Sequence, residues 1–257
     1  MRDSFHVHLL NFDSLPSTNT EAARQALLGA REGLCIVARE QTAGRGRRER
    51  AWASPRDAGL YFSVLLRPRI EPPAWPLIPL AAALAVRDAL EEACELTTDI
   101  KWPNDLLARG RKLCGILSET CDGGRACVVG IGVNLRDAAF PPEIAACATS
   151  VEAETAHAPD REALLVALTR NLARRYEELQ SHDGKHATVR AWSAASSYAE
   201  GKRVRVALGD ADSFEGTTRR LEADGALRVE DDSGAMRIVR AGDVTALRQV
   251  SDESRDV

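Results

Sequence analysis

From Asp99 to Leu135 the chain sets three strand-like runs, DIKWPNDLLA, KLCGILSET and ACVVGIGVNL, around two tight turns at ARGR and CDGG. Connections that short join antiparallel neighbours, so these runs form hairpins of one sheet. Asp122-Gly123-Gly124 is a good turn for the second hairpin, and Ala108-Arg109-Gly110 folds the first. The rest of the chain has to cover that sheet.

Upstream, His6 to Phe12 is strand-like, and Thr18 with Glu21 three residues on gives a capping-box start to an Ala-rich helix. Leu34 to Glu40 (LCIVARE) is a strand that runs into the loop AGRGRRER, and Leu60 to Arg67 is another, closed by a Pro-rich stretch. Leu77 to Leu96 has the strongest helical period, Asp160 to Gln180 a second one, and TVRAWSAASSYAEG a weaker helical or loop character. From Gly201 the texture changes to short alternating strands between glycine turns, which predicts a small SH3-like β-barrel. The expected fold is α+β, a mixed sheet flanked by helices, with residues 1–199 as the main domain, 200–250 as the β-module and 251–257 as a frayed tail.

Composition removes several function classes. Hydrophobic residues are 44% of the 257 and charged residues 28%, which is globular and neither disordered nor collagen-like. With only 4 Trp, 3 Tyr and 5 Phe, the core must be built from Leu, Val, Ile and Ala. The 34 Lys and Arg against 38 Asp and Glu leave a net charge of -4, so any basic site is local and the chain is no polybasic binder of nucleic acid or membranes. The longest apolar stretch, Leu77 to Val86, is too short for a membrane span of ~18 to 20 residues. The first residues show no signal-peptide core, so a soluble, cytoplasmic protein is expected. No two of the 6 cysteines stand in C-x-x-C spacing; buried free thiols are the expectation.

Two constellations could carry chemistry. In Gly44-Arg45-Gly46-Arg47-Arg48-Glu49-Arg50-Ala51-Trp52, glycines let the backbone aim successive N–H groups at one point, while the arginines add bidentate donors for phosphate or carboxylate. A solvated basic turn is the plainer reading, but a loop with so few acids needs its repulsion relieved, and Trp52 is a costly residue to leave on a solvent turn. The second is Lys101-Trp102-Pro103-Asn104-Asp105 with Lys112 to Glu119 beyond it. A hairpin would bring the lysines, amide and carboxylate together, which suits nucleotide phosphates, Mg²⁺ or an activated carboxylate. A hairpin with charges on its wet face fits the pattern equally well; Lys112 at the head of the apolar run Leu113 to Leu117 and close to Gly115 tips the balance toward a ligand. Gly130-Ile131-Gly132-Val133-Asn134 lacks the third glycine of a dinucleotide loop and reads as the small-residue wall of a pocket.

In this order and spacing these segments resemble the biotin protein ligases, the biotin–[acetyl-CoA-carboxylase] ligase family. The glycine-arginine loop is matched by Gly44 to Arg48 with Trp52, KWPND by Lys101 to Asp105, K-x-x-G-I-L by Lys112 to Leu117 and G-x-G-x-N by Gly130 to Asn134. Ser17-Thr18-Asn19 matches the S-T-N that opens the family's catalytic helix, and Gln41 the glutamine before the loop. The resemblance includes the C-terminal β-module. One departure is Glu49, which stands where the family usually has glycine.

The resemblance implies a catalytic domain like those of biotin ligases and class II aminoacyl-tRNA synthetases. It also implies ATP-dependent transfer of biotin, through biotinyl-5′-AMP and with Mg²⁺, to a lysine of a biotin carboxyl carrier protein or domain. It assigns biotin to Ser17, Thr18, Asn19, Gln41, Gly44, Arg45, Lys112, Gly115 and Gly130, the two glycines leaving room for ring and chain. ATP and the adenylate fall to Arg45, Arg47, Arg48, Trp52, Lys101, Asn104, Lys112 and Asn134. Catalysis falls to Lys112, Arg47, Lys101 and Asp105, with Asp105 also as the Mg²⁺ ligand; chemistry alone lets Lys101 and Lys112 exchange roles. The loop is expected to act as a mobile cover over a labile adenylate. Some family members carry an N-terminal DNA-binding domain ahead of S-T-N; with Ser17 so early, a monofunctional ligase without DNA binding is expected, as a monomer or homodimer. The rivals are a lipoate-protein ligase, an octanoyl transferase needing a nucleophilic cysteine, and a non-catalytic RNA-binding module.

Overall fold

The central strands are apolar at nearly every position, so both faces of one seven-stranded sheet are covered, each by a different surface. The computed structural model describes residues 5–136, 140–208, 212–240 and 242–246. In chain order the first part comprises β1 (His8–Phe12), α1 (Thr18–Leu27), β2 (Leu34–Ala38), β3 (Gly59–Leu66), α2 (Leu77–Cys94), β4 (Asp99–Lys101), β5 (Asp105–Ala108), β6 (Arg111–Cys121) and β7 (Ala126–Asn134). Four helices follow: α3 (Pro142–Ala145), α4 (Val151–Thr155), α5 (Arg161–Leu179) and α6 (Gly184–Ala194). The sheet order is β1-β2-β3-β7-β6-β5-β4, with β1 parallel to β2 and the remaining neighbours antiparallel, so the sheet is mixed.

On β7, Cys127, Val129, Ile131 and Val133 face the main core, which α2 and α5 cover, while Ala126 and Val128 face α1. Alternate residues share a face, so Gly130, Gly132 and Asn134 continue the α1 face beyond the start of that helix. There the sheet is open, and there the candidate site lies. The buried residues of α2 are rich in alanine, with Ala81, Ala82, Ala83, Ala85 and Ala89 all inside, and α5 is its principal neighbour. No helix among the described residues is long and apolar enough to cross a membrane.

The capping of α1 differs from the sequence expectation. Ser17 is the N-cap, its hydroxyl accepting from the Thr20 N–H, and Thr18 is the first helical residue. The Thr18 hydroxyl donates to Gln41 Oε1 at 3.0 Å and accepts from Ser63 at 2.7 Å, so it is not free to cap. Glu21 pairs with Arg24 and Gln25 instead of reaching back. The segment read as helix or loop after Thr188 is helical to Ala194, and that helix, α6, begins earlier, at Gly184.

Beyond α6, β8 (Arg203–Ala207), β9 (Ser213–Leu221), β10 (Leu227–Asp231), β11 (Met236–Val239) and β12 (Asp243–Ala246) form an antiparallel sheet in the order β11-β10-β9-β8-β12. That arrangement is compatible with the expected small barrel. Its apolar residues, among them Val204, Val206, Leu227 and Val229, join the main core, and Trp102 Nε1 donates to the Gly225 carbonyl at 3.0 Å. The KWPND segment is thereby pinned to the C-terminal sheet. The expected tail, 251–257, lies outside the described residues.

Candidate active site

Three glycines make the floor. Gly115 and Gly132 stand opposite each other across β6 and β7, and Gly130 stands opposite Leu117. A Cβ on Gly132 would lie 2.5 Å from Trp52 Nε1, and one on Gly115 2.8 Å from Trp52 Cζ3, so the indole rests flat on a strip of bare backbone. A Cβ on Gly130 would meet Asn19 Oδ1 at 2.1 Å. Trp52 and Asn19 thus pack against these glycines, and all of them line a cavity. That cavity, of ≈ 260 Å³, is bounded by the start of α1, the glycine-arginine loop and the ends of β6 and β7.

A β-bulge aims Lys112 into that cavity. Lys112 and Gly115 are an odd number of residues apart, so regular alternation would put them on opposite faces. The register of β5 against β6 shifts between Leu106, paired with Cys114, and Leu107, paired with Lys112. Leu113 is the extra residue; it turns into the core, completely buried, while Lys112 joins Asp105 and Gly115 on the site face. Bulges re-aim side chains in this way. Lys112 Nζ lies 2.7 Å from Asp105 Oδ1 and 5.3 Å from the centroid of the Trp52 ring. Lys101 pairs across the ladder with Asp105. Burial pulls the Lys101 pKa below its ordinary value, against the attraction of Asp105, and the nearby Lys112 charge adds to the lowering.

The S-T-N segment and Gln41 form one network. Gln41 Oε1 accepts from the Thr18 N–H at 2.9 Å and from its hydroxyl, and Gln41 Nε2 donates to Ser54 Oγ at 2.8 Å. Asn19 Nδ2 donates to Glu119 at 2.7 Å and to the Leu117 carbonyl, while Ser63 donates to Asn19 Oδ1 at 2.6 Å. Ser17, Thr18 and Asn19 are all buried and line the cavity. Asn134, at the other end, spends its amide on the Lys112 and Thr149 carbonyls at 3.3 and 3.0 Å.

The loop is docked. At its base Gly44 accepts from the Trp52 N–H at 2.9 Å, in a space where a Cβ would lie 2.4 Å from the Trp52 carbonyl oxygen. Arg45 pairs with Glu119 at 2.9 Å. Arg47 Nη1 donates to the Gly242 carbonyl at 3.1 Å and to Asn104 and Asp243, each at 3.4 Å. Arg48 donates to the Ala207 and Leu208 carbonyls. Arg48 and Glu49 both hold left-handed backbone, φ 53 and 59, a conformation that costs an L-residue roughly 1–2 kcal/mol. Asn104 itself is fixed by its amide on the Ile116 carbonyl at 2.7 Å.

Most of the residues singled out in the sequence line one cavity; Gly44, Arg48 and Lys101 do not, Gly44 sitting at the base of the loop, Arg48 reaching the Ala207 and Leu208 carbonyls and Lys101 pairing across the ladder with Asp105. The donor set around Asp105 does not fit a protein-held Mg²⁺, because that carboxylate is committed to Lys112 and no cluster of three His, Cys, Asp or Glu occurs among the described residues. Sequence reasoning missed Ser63 and Asp243, and took in Glu119 only as the end of the Lys112 run, without its contacts to Asn19 and Arg45. Ser63 had a signal, a lone polar residue inside the buried strand GLYFSVLL; Asp243 had none, since it reaches the loop only through the fold.

Residues 11–135 match the biotin/lipoate A/B protein ligase family, and residues 201–245 the biotin protein ligase C-terminal domain. The chain is 35% identical over 239 residues to the bifunctional ligase/repressor BirA of Bacillus subtilis, covering 91% of this chain and 73% of that one. It is 38% identical to the biotin–[acetyl-CoA-carboxylase] ligase of Mycobacterium tuberculosis, covering 90% and 86%. Its fold is similar to that of the biotin protein ligase from Aquifex aeolicus in complex with biotin and ATP, with a TM-score of 0.81 at 27% identity over 94% of this chain and 99% of that one.

Proposed function

The chain belongs to the biotin protein ligase family, and from that premise we propose that it uses ATP to attach biotin to a lysine of a biotin carboxyl carrier protein or domain, through biotinyl-5′-AMP. The observation that carries the reading is the placement of Lys112, turned by the β5–β6 bulge into a cavity that also receives Arg47 and Trp52.

The chemistry makes two anions meet. A biotin carboxylate oxygen bonds to the α-phosphorus of ATP, the bond from that phosphorus to the bridging oxygen breaks, and pyrophosphate leaves. The amine of the acceptor lysine then attacks the acyl carbon, and AMP leaves with the oxygen that linked it. Lys112, held by Asp105, lies where it can offset the charge that grows between carboxylate and phosphate. Arg45, Arg47 and Arg48 with the loop N–H groups serve the phosphates, and Lys101 and Asn104 flank them. Trp52 presents a flat face to the adenine, with Asn134 beside it. The network of Ser17, Thr18, Asn19 and Gln41, near the Gly115 and Gly130 backbone, faces the biotin ring end; Gly44 gives the loop its tight base. Mg²⁺ would reach such a site on the triphosphate, which supplies the oxygens the protein lacks.

Three buried cysteines, none of which lines the cavity, are unsuited to an acyl-enzyme route; the cysteine that does line it, Cys147, places its Sγ 3.3 Å from the Ile144 carbonyl. Burial pushes the Cys35 thiol up to about 12 and Cys127 to about 11, and raises Cys114 as well. A thiol so raised is not a nucleophile near neutral pH. The testing experiment is biotin-dependent exchange of labelled pyrophosphate into ATP. Exchange with biotin and not with lipoate is expected; exchange with lipoate alone would overturn the assignment.

A further inference from the structure

Three of the four loop arginines converge on a single carboxylate from the other sheet. Asp243, the first residue of β12, lies 3.4 Å from Arg47, 3.7 Å from Arg48 and 2.7 Å from Arg50. The fourth, Arg45, is taken by Glu119. The loop's own acid, Glu49, makes no ion pair among the described residues, so Asp243 supplies the negative charge that lets three guanidinium groups stand together. Asp243 is also partly enclosed, its side chain 24% exposed, so the attraction is screened less than on an open surface.

The direction of the Arg47 contacts decides what this carboxylate does. All three acceptors, Asn104 Oδ1, the Gly242 carbonyl and Asp243 Oδ1, meet the same nitrogen, Nη1. Nη2 and Nε have no hydrogen-bond partner among the described residues, and Arg47 lines the cavity. A competitor for phosphate would occupy the fork of the guanidinium; this arrangement grips one corner and leaves the fork open.

We propose that Asp243 is a positioning residue for the nucleotide: from the C-terminal sheet it fixes the arginine loop over the cavity before ATP arrives, so that Arg47 offers its remaining donors to phosphate. This rests on the ligase reading for the identity of the anion. It also gives the C-terminal sheet a part in the first half-reaction, through one side chain at the start of β12. Pre-organisation of this kind strengthens binding by removing the ordering cost from the binding step.

The test replaces Asp243 by Asn, keeping size and removing charge. D243N is expected to raise the KM for ATP by about tenfold, equivalent to about 1.4 kcal/mol, while the KM for biotin and the melting temperature stay near wild type. Trypsin should cut the ligand-free loop at Arg47, Arg48 or Arg50 faster in D243N than in wild type. D243E, which retains the charge, should recover most of the loss in both assays, a rescue that a purely structural role would not show as a selective KM effect. D243S serves if D243N does not fold. Wild-type KM for ATP together with an unchanged trypsin pattern would overturn the proposal. ATP binding by equilibrium dialysis and the trypsin assay need no turnover. An enzyme without biotin-dependent exchange would therefore refute the ligase reading while the role of Asp243 is still decided by those two measurements.

Discussion

Replacing Gly132 by alanine adds one methyl group to the floor of the cavity. The new Cβ would stand 2.5, 2.6 and 2.8 Å from Trp52 Nε1, Cε2 and Cζ2. Carbon atoms in favourable contact stand about 3.5–4.0 Å apart, so the indole has to lift by about 1 Å. The fold should tolerate the change, because the neighbour that must yield is a side chain on a loop and alanine in a strand is roughly 0.5–1 kcal/mol better than glycine. Nucleotide binding should not, since a misplacement of about 1 Å at a positioned group can lower the rate about a hundredfold. In pyrophosphate exchange, G132A is expected to lower kcat/KM for ATP by one to two orders of magnitude with an unchanged or slightly raised melting temperature. G115A, whose Cβ would be 2.8 Å from the ring at its nearest, should do the same less severely. Trp52→Ala removes the clashing ring, so in that background G132A should add little, and the double-mutant cycle should show strong coupling. A G132A enzyme with wild-type kinetics for ATP, or effects of G132A and W52A that add independently, would refute the idea that the glycine strip exists to seat Trp52.

Lys112→Ala should abolish biotin-dependent exchange by at least about a hundredfold, as loss of a transition-state charge partner does, with the circular dichroism spectrum unchanged; wild-type turnover would remove Lys112 from the chemistry. Lys101→Met should raise the melting temperature at neutral pH while lowering activity. A lysine whose folded-state pKa is depressed by burial weighs against the fold below that pKa and ceases to do so as pH rises toward the unfolded value of about 10.4. The stability advantage of K101M should therefore shrink as pH rises from the depressed folded-state pKa toward the unfolded value; an advantage that grows with pH would contradict the buried-charge account. Glu49→Gly relieves a left-handed residue at φ 59. It should slow escape of biotinyl-5′-AMP, trapped by hydroxylamine, by roughly fivefold, the counterpart of ~1 kcal/mol of relieved strain.

The strands of the hairpin region were legible because each is a short apolar run bounded by tight turns, and connections that short decide the pairing almost by themselves. Lys101, Asp105 and Lys112 were legible as types, though their common orientation was not. It depends on Leu113 bulging out of register, and a bulge leaves no mark on an apolar-polar pattern beyond one extra residue. The glycines were recognised as the small-residue wall of a pocket, and they line the cavity; that Trp52 and Asn19, from elsewhere in the chain, also pack against them was not legible. The capping of α1 went to Ser17 because Gln41 and Ser63, brought in by β2 and β3, claim Thr18. Asp243 stayed invisible for the same reason, its meaning arising only when β12 is laid against a loop almost the whole chain away.

The central claim, that this cavity activates biotin with ATP for transfer to a protein lysine, is tested most directly by incubating the enzyme with ATP, labelled biotin and a biotin carboxyl carrier domain and following label on the carrier. Incorporation that requires ATP, yields AMP and pyrophosphate, and disappears when the acceptor lysine is replaced by arginine is the expected result. ATP-independent labelling, or ATP consumption that responds to lipoate and not to biotin, would contradict it.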